Sequence, residues 1–379
     1  MRLAFFNQLS MAFNVRTPQT QPLGGMASAT CYLARALAAR GHDVTLISEL
    51  PSGTPPELLG VRHQAAKHLR ADPVGFFKKH NYDAVIAINS PDIAPHVRAA
   101  YLHTPFIVWA HIYPDQPALA PLQQHARLVD AVVCVSKTLR DTFKYPVQTV
   151  AIENAIAPYF ENMFSSAEEL LAAKKNRAAY ASMPFRGLDL LVDAMGRVGG
   201  KVELDVYSSM RTYQEPDKNY PGIMAIYDTA KRNPRIRHHG AVGQQSLANA
   251  FRSAAYLTYP CIFIETYCIV AQEAIAAGMK VISNDLGALP ETTMGFADLL
   301  PVQGGKISNA DHVAGIAALL EKNEAAFLRD PRAWAEERFA QAQEVNRRNT
   351  WAIRAAQWES FLAPGVDAIK AALAARGQR

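Results

Sequence analysis

From end to end the chain alternates short, unbroken apolar runs with longer stretches of helical spacing, and that alternation sharply limits what it can fold into. LAFF (3–6), VTLIS (44–48), DAVIAIN (83–89), FIVWAH (106–111) and AVVCVS (131–136) show no polar alternation. Strands of a parallel sheet covered on both faces read this way. Between the first two runs, residues 26–40 carry Ala29, Leu33, Ala36 and Leu37 at helical spacing, and Gly41 stops that helix. Parallel neighbours need such a crossover. The pattern lapses over 157–177, at Pro158, a Ser-Ser pair and Lys174-Lys175, so a hinge is expected near 157–168. A second series follows, with strand-like AAYASM (178–183), VELDVYS (202–208), YLTYP (256–260) and KVISND (280–285) separated by helical patterns. The fold class is α/β: two doubly wound parallel-sheet domains, residues 1–157 and 158–349, facing a cleft. Ligands of such sheets bind beyond the carboxyl ends of the strands, which makes that cleft the expected site.

Composition narrows the partners. With 39 Lys and Arg against 34 Asp and Glu, the net charge of +5 suits an anionic small molecule. It is too weak and dispersed for nucleic acid. The cysteines Cys31, Cys134, Cys261 and Cys268 form no CxxC pair, and four in 379 residues suit a reducing compartment. No run approaches the roughly 20 apolar residues of a membrane span, and the apolar start of MRLAFFNQLS is short for a secretory signal. A cytoplasmic protein is expected. Lys67, His68, Arg70, Lys78, Lys79 and His80 form a loosely basic stretch, to be read either as a solvated face or as a peripheral contact with the inner face of a membrane. No HxxxH or HExxH pattern points to a metal.

Ile264 to Glu291, IETYCIVAQEAIAAGMKVISNDLGALPE, holds most of the chemistry. Glu265 stands just before a helix expected near 268–277, and Glu273 stands within it. Eight helical steps would span about 12 Å, the reach from a sugar across a diphosphate to a ribose. The first-turn amides, from Thr266 and Tyr267 through Cys268, Ile269 and Val270, would face an anion in the favourable field of the helix dipole. A carboxylate accepts hydrogen bonds from two vicinal hydroxyls, which suits Glu265 on a sugar and Glu273 on a ribose. Upstream, Gly24-Gly25 precedes a helix in a turn that lets backbone approach a phosphate, although GxGxxG is absent. His111 ends a strand and so points toward the ligand side of the sheet, where an imidazole can hydrogen-bond a sugar or steady developing charge. Arg186, in SMPFRGLD, precedes a helix whose dipole opposes a cation, so an anion bound there is expected.

The segment 264–291 resembles the E-x7-E signature of the family 4 retaining glycosyltransferases, continued by Ala276-Ala277-Gly278, VISND and Gly287 with Pro290-Glu291. The Gly24-Gly25 turn, followed by Leu33-Ala34, Leu37, Gly41-His42 and Val44, is similar to the family's first glycine turn. The resemblance implies a GT-B fold of two Rossmann-like domains, with NTWAIRAAQWESFL opening a C-terminal crossover helix (350–379) that returns to the first domain. It also implies a retaining transfer from a nucleoside-diphosphate sugar, with no metal or other cofactor, to a glycan, lipid-linked or small-molecule acceptor, as in surface-polysaccharide synthesis. Glu265 would contact the donor sugar and Glu273 the ribose. His111 would lie by the sugar, Arg186 would hold the diphosphate in the family's lysine position, and Val242, in HHGAVGQQ, would offer backbone to the base. The family's arginine position falls near Ala181 or Ser182, so one phosphate contact is missing, and Arg211 is the candidate substitute. A catalytically silent nucleotide-sugar-binding protein and a nucleotide-sugar epimerase remain as alternatives.

Overall fold

The computed structural model describes residues 1–302 and 307–377, with side chains to 367. The chain forms two compact units. One takes in residues 1–17, 25–154 and the chain from Trp351 on; the other takes in 18–24 and 155–350.

The first unit is built on eight strands: β1 (Arg2–Asn7), β2 (Asp43–Ser48), β3 (Glu57–Leu58), β4 (Val61–Ala65), β5 (Ala84–Ile88), β6 (Phe106–Ala110), β7 (Ala131–Cys134) and β8 (Gln148–Ala151). Their order is β3-β4-β2-β1-β5-β6-β7-β8. Only the short β3–β4 pair is antiparallel. The central strands β5, β6 and β7 are buried at every position, as continuous apolar runs require. The helix Gly25–Ala39 crosses over between β1 and β2. The helix Trp351–Gly377 packs on this same unit: the Trp358 ring meets Trp109 edge-on at 5.3 Å, and Trp351 lies 6.2 Å from Tyr32. Residues 378 and 379 of the expected crossover helix lie outside the described residues. In the basic stretch Arg70 pairs with Glu49, while Lys67, His68, Lys78 and Lys79 are exposed.

The second unit has six parallel strands: β9 (Lys175–Tyr180), β10 (Glu203–Val206), β11 (Ile236–His238), β12 (Ala254–Thr258), β13 (Lys280–Asn284) and β14 (Asp298–Leu300). They run in the order β11-β10-β9-β12-β13-β14. The order reverses beside β9, and both elements that carry the expected acidic and basic residues follow the two strands at that point: the turn at 181–187 follows β9 and the loop at 259–268 follows β12. Residues 157–168 are not a free hinge. Phe160 is fully buried, its ring 5.8 Å from Phe251, and Ser166 caps the helix Ala167–Ala173. Lys174 is buried as well. Its ammonium donates to the carbonyls of Phe251 (2.9 Å), Ala254 (2.7 Å) and Ala277 (2.6 Å), which satisfies all three donors. The division between the units falls after Asn154 rather than after 157, because Ala155 onward packs with the second unit. Among the described residues, no helix is long and apolar enough to cross a membrane.

Candidate functional site

The turn after β9 is held against the loop after β12 at one point. Gly187 has φ +97°, and a Cβ there would lie 1.9 Å from the Pro260 carbonyl oxygen, so only glycine fits. This approach brings Arg186 beside Glu265: the guanidinium NH1 is 2.8 Å from Oε1. The buried Tyr259 phenol donates to the same oxygen at 2.5 Å. Phe263 lies over the guanidinium with its ring centroid at 4.2 Å. Glu265 is fixed through its backbone. It bridges Gly287, its carbonyl accepts the Ala288 N–H at 2.8 Å, and a Cβ on Gly287 would meet that carbonyl oxygen at 2.4 Å.

The electrostatics follow from this packing. Burial works against the Arg186 charge, but Glu265, Tyr259 and Tyr213 outweigh it and hold the guanidinium pKa above its ordinary value. Burial, then Glu265, pushes the Tyr259 phenol well above the usual range. Burial and then Glu265 also push the Cys261 thiol up to about 12 and raise Cys268 strongly. Neither thiol is a thiolate near neutrality, so neither serves as a nucleophile. Glu265 gives Arg186 a counter-charge within the protein, a pairing the sequence reading did not include. The pair does not satisfy the whole guanidinium, however. Among the described residues its buried Nε–H has no hydrogen-bond partner.

The helix after Glu265 runs Ile269–Ala276. Cys268 precedes it in the left-handed region, with φ +71°. The open first turn therefore begins at Ile269, and Ile269 and Val270 are half-exposed there, as is Thr266 before it. The Tyr267 side chain is structural: its buried hydroxyl and Gln272 Oε1 are 2.8 Å apart, and Gln272 in turn bonds the Thr292 carbonyl. Glu273 is buried, with Oε1 accepting the Ala157 N–H at 3.2 Å. Burial raises its pKa to about 8, against a smaller lowering by that backbone donor. The carboxyl is thus protonated at neutral pH, with one hydroxyl donor and acceptor capacity to offer.

The glycine pair is divided between the two units. Gly25 opens the helix Gly25–Ala39 of the first, whereas Gly24 belongs to the second, where a Cβ on it would lie 3.2 Å from the Tyr213 ring. The same strap, residues 18–24, touches the stretch containing Val242. A Cβ on Gly243 would come within 2.8 Å of the Thr20 carbonyl carbon. Val242 itself is half-exposed. Arg211 is exposed, one residue into the 3₁₀ turn Met210–Tyr213. In the first unit His111 is buried directly after β6. Its backbone N–H donates to Asn89 Oδ1 at 2.7 Å, and its ring lies 4.4 Å from that of Trp109. Burial lowers its pKa to about 3, so the ring is neutral. Among the described residues no three His, Cys, Asp or Glu side chains form a group that could hold a metal ion.

The sequence reading missed Tyr259 and Phe263. The signal for Tyr259 was its place at the carboxyl end of a strand, the side on which such sheets bind ligands.

Comparison with known proteins bears on the family and the fold. A family model described as Glycosyltransferase Family 4 matches residues 23–156, and one described as Glycosyl transferases group 1 matches residues 177–322. No curated protein matches the sequence. Among solved structures, sucrose-phosphate synthase from Thermosynechococcus elongatus is similar with a TM-score of 0.70 at 19% identity, over 97% of this chain and 100% of that one. HepE from Anabaena, solved in complex with UDP and glucose, has a TM-score of 0.69 at 15% identity, over 96% of this chain and 100% of its own. WaaG, a glycosyltransferase involved in lipopolysaccharide biosynthesis, has a TM-score of 0.64 at 14% identity, over 95% and 99% of the two chains. With two parallel-sheet α/β units of this topology and family models matching in each, the chain belongs to the GT-B glycosyltransferases of the family 4 type.

Proposed function

We propose that the second unit binds a nucleoside-diphosphate sugar and that the protein transfers the sugar to an acceptor hydroxyl with retention, independently of a divalent metal. The observation that carries this reading is Arg186. Its guanidinium is half-buried, paired and stacked, and its Nε–H is buried with no hydrogen-bond partner among the described residues. A buried N–H of that kind is satisfied by an anionic oxygen, and the donor diphosphate supplies one. As the bond to the sugar breaks, charge builds on the leaving diphosphate, and a guanidinium already held in place stabilises it without reorganising. Glu265 would orient the sugar hydroxyls, protonated Glu273 the ribose, and the amides of Ile269 and Val270 would complete the phosphate contacts. On the first unit, neutral His111 is the candidate hydrogen-bonding group for the sugar. HepE has been solved with UDP-glucose, which supports a donor of this class.

The test is a thermal-shift screen with UDP, GDP, ADP and their sugars, followed by transfer assays with and without EDTA and anomeric analysis of the product. A ligand at 100 times its dissociation constant is expected to stabilise the fold by about 2.7 kcal/mol. Arg186→Ala and Glu273→Ala are expected to lower transfer by about 100-fold or more with the fold intact. Near-normal rates in both variants would rule this site out. Binding without transfer or donor hydrolysis would make the protein a nucleotide-sugar binder instead.

A further inference from the structure

In the first unit's sheet β1, β5 and β6 are neighbours, and polar side chains gather where they end. Asn7 closes β1, Asn89 and Ser90 follow β5, and His111 follows β6. Asn7 and Asn89 are buried, at 1% and 7% exposure, while Gln8 beside them is exposed. Backbone N–H groups orient both buried carboxamides. Asn7 Oδ1 accepts from Leu9 at 3.0 Å, and Asn89 Oδ1 accepts from His111 at 2.7 Å. With the oxygens so engaged, the NH2 groups are the ends left over. Asn7 Nδ2 is buried with no hydrogen-bond partner among the described residues. Asn89 Nδ2 meets the Met26 thioether, a weak acceptor, at 3.0 Å. The loops that carry these residues touch. The Ser90 hydroxyl donates to the Ile88 carbonyl at 2.9 Å and lies 3.3 Å from Gln8 Oε1.

Holding a loop N–H does not by itself call for an amide, since a serine or threonine hydroxyl accepts one without a further amine to bury. Buried donors are nearly always satisfied in proteins. Two under-used amines on paired strands, at the end of a parallel sheet where ligands bind, therefore mark a place for acceptor oxygens from outside. The charge of that ligand follows from the side chains around it. Asn7, Gln8, Asn89 and Ser90 carry none, and the buried His111 ring is neutral. A phosphate or carboxylate here would lose hydration with no cation in the cluster to offset the loss. A hydroxyl group accepts from an amide NH2 and donates to the Gln8 or Ser90 oxygen, which matches the mixture present.

We propose that the ends of β1 and β5 bind an uncharged carbohydrate acceptor, with the Asn7 and Asn89 amides donating to its hydroxyl oxygens and Gln8 at the exposed edge. This rests on the transfer reading above and names the acceptor class: a neutral sugar rather than a phosphorylated or acidic one.

The experiment is saturation-transfer NMR titration of wild type, Asn89→Asp and Gln8→Ala. The probes are the methyl glycosides of glucose, galactose and mannose, with glucose 6-phosphate and glucuronate as anionic counterparts. UDP, GDP and ADP are titrated in parallel. Asn89→Asp keeps the oxygen that holds the His111 N–H and loses the amine; Gln8→Ala removes an exposed side chain and leaves the core alone. At least one neutral glycoside is expected to bind, and neither anion. Asn89→Asp should weaken the glycoside about tenfold and Gln8→Ala about threefold, with nucleotide affinity unchanged in both. If Asn89→Asp melts early, Gln8→Ala decides. Preference for an anionic sugar, no sugar bound at all, or wild-type glycoside affinity in the folded variants overturns the assignment. Nucleotide binding alongside any of these leaves the nucleotide-sugar reading standing. A glycoside bound as expected by a protein that takes none of the nucleotides overturns the transfer reading instead.

Discussion

Glu273 is a buried carboxyl whose titration is set by its surroundings. Its carboxyl has a folded pKa of about 8, well above an ordinary glutamate, because it lies in a desolvated place with only one backbone donor. A group raised in the folded state contributes stability that is complete below its unfolded pKa and is lost as pH climbs through the folded value. The ligand-free protein should therefore lose stability between about pH 4.5 and pH 8, by up to about 1.4 kcal/mol per pH unit from this group. Glu273→Gln still accepts from Ala157 and cannot ionise, so its melting temperature should fall less across that window. Melting curves of the two proteins from pH 5 to 9 check this, and parallel pH profiles would refute it. The pairing at Arg186 gives a second residue-level expectation. Arg186→Lys keeps a charge but loses the planar fork that serves Glu265 while keeping another donor in hand. Its transfer rate should fall well below wild type, as a titration of rate against donor concentration would show.

At the scale of elements, the site depends on two backbone approaches, at Gly187 and Gly287. Gly187→Ala would set a methyl 1.9 Å from the Pro260 oxygen at φ +97°. The turn must then move, at a cost on the order of 2–3 kcal/mol or more. Donor affinity should drop with it even though no side chain that touches the donor has changed; thermal melts and nucleotide titration measure both. These elements were legible to different degrees. The apolar runs of β1, β5, β6 and β7 could be read because a strand buried on both faces has little else it can be. The strand β4, VRHQA, went unread because its polar residues break the run, and β8 and β14 are too short to carry a period. The helix around Glu273 was legible from its own spacing. The contact of Arg186 with Glu265, across 79 residues, was not, since it is set by which strands lie next to each other in the sheet.

Across the whole molecule, the first unit depends on its last helix. Trp358 is fully buried and meets Trp109 of β6, the strand just before His111, edge-on at 5.3 Å. Trp358→Ala should cost about 3–5 kcal/mol. By loosening the packing around Trp109 it should also reduce transfer while leaving nucleotide binding by the second unit nearly unchanged. Chemical denaturation with fluorescence detection, set beside nucleotide titration, separates the two effects. A uniform loss of both would argue against independent roles for the units.

The way the polypeptide is partitioned also sets an order of assembly. The first unit needs residues from both ends of the chain, whereas residues 155–350 lie in a single uninterrupted stretch. During synthesis that inner stretch leaves the ribosome complete while the outer unit still lacks the helix that buries Trp109 and Tyr32. While that helix is still to be made, the Trp109 and Tyr32 rings of the first unit lack the partners that Trp358 and Trp351 supply.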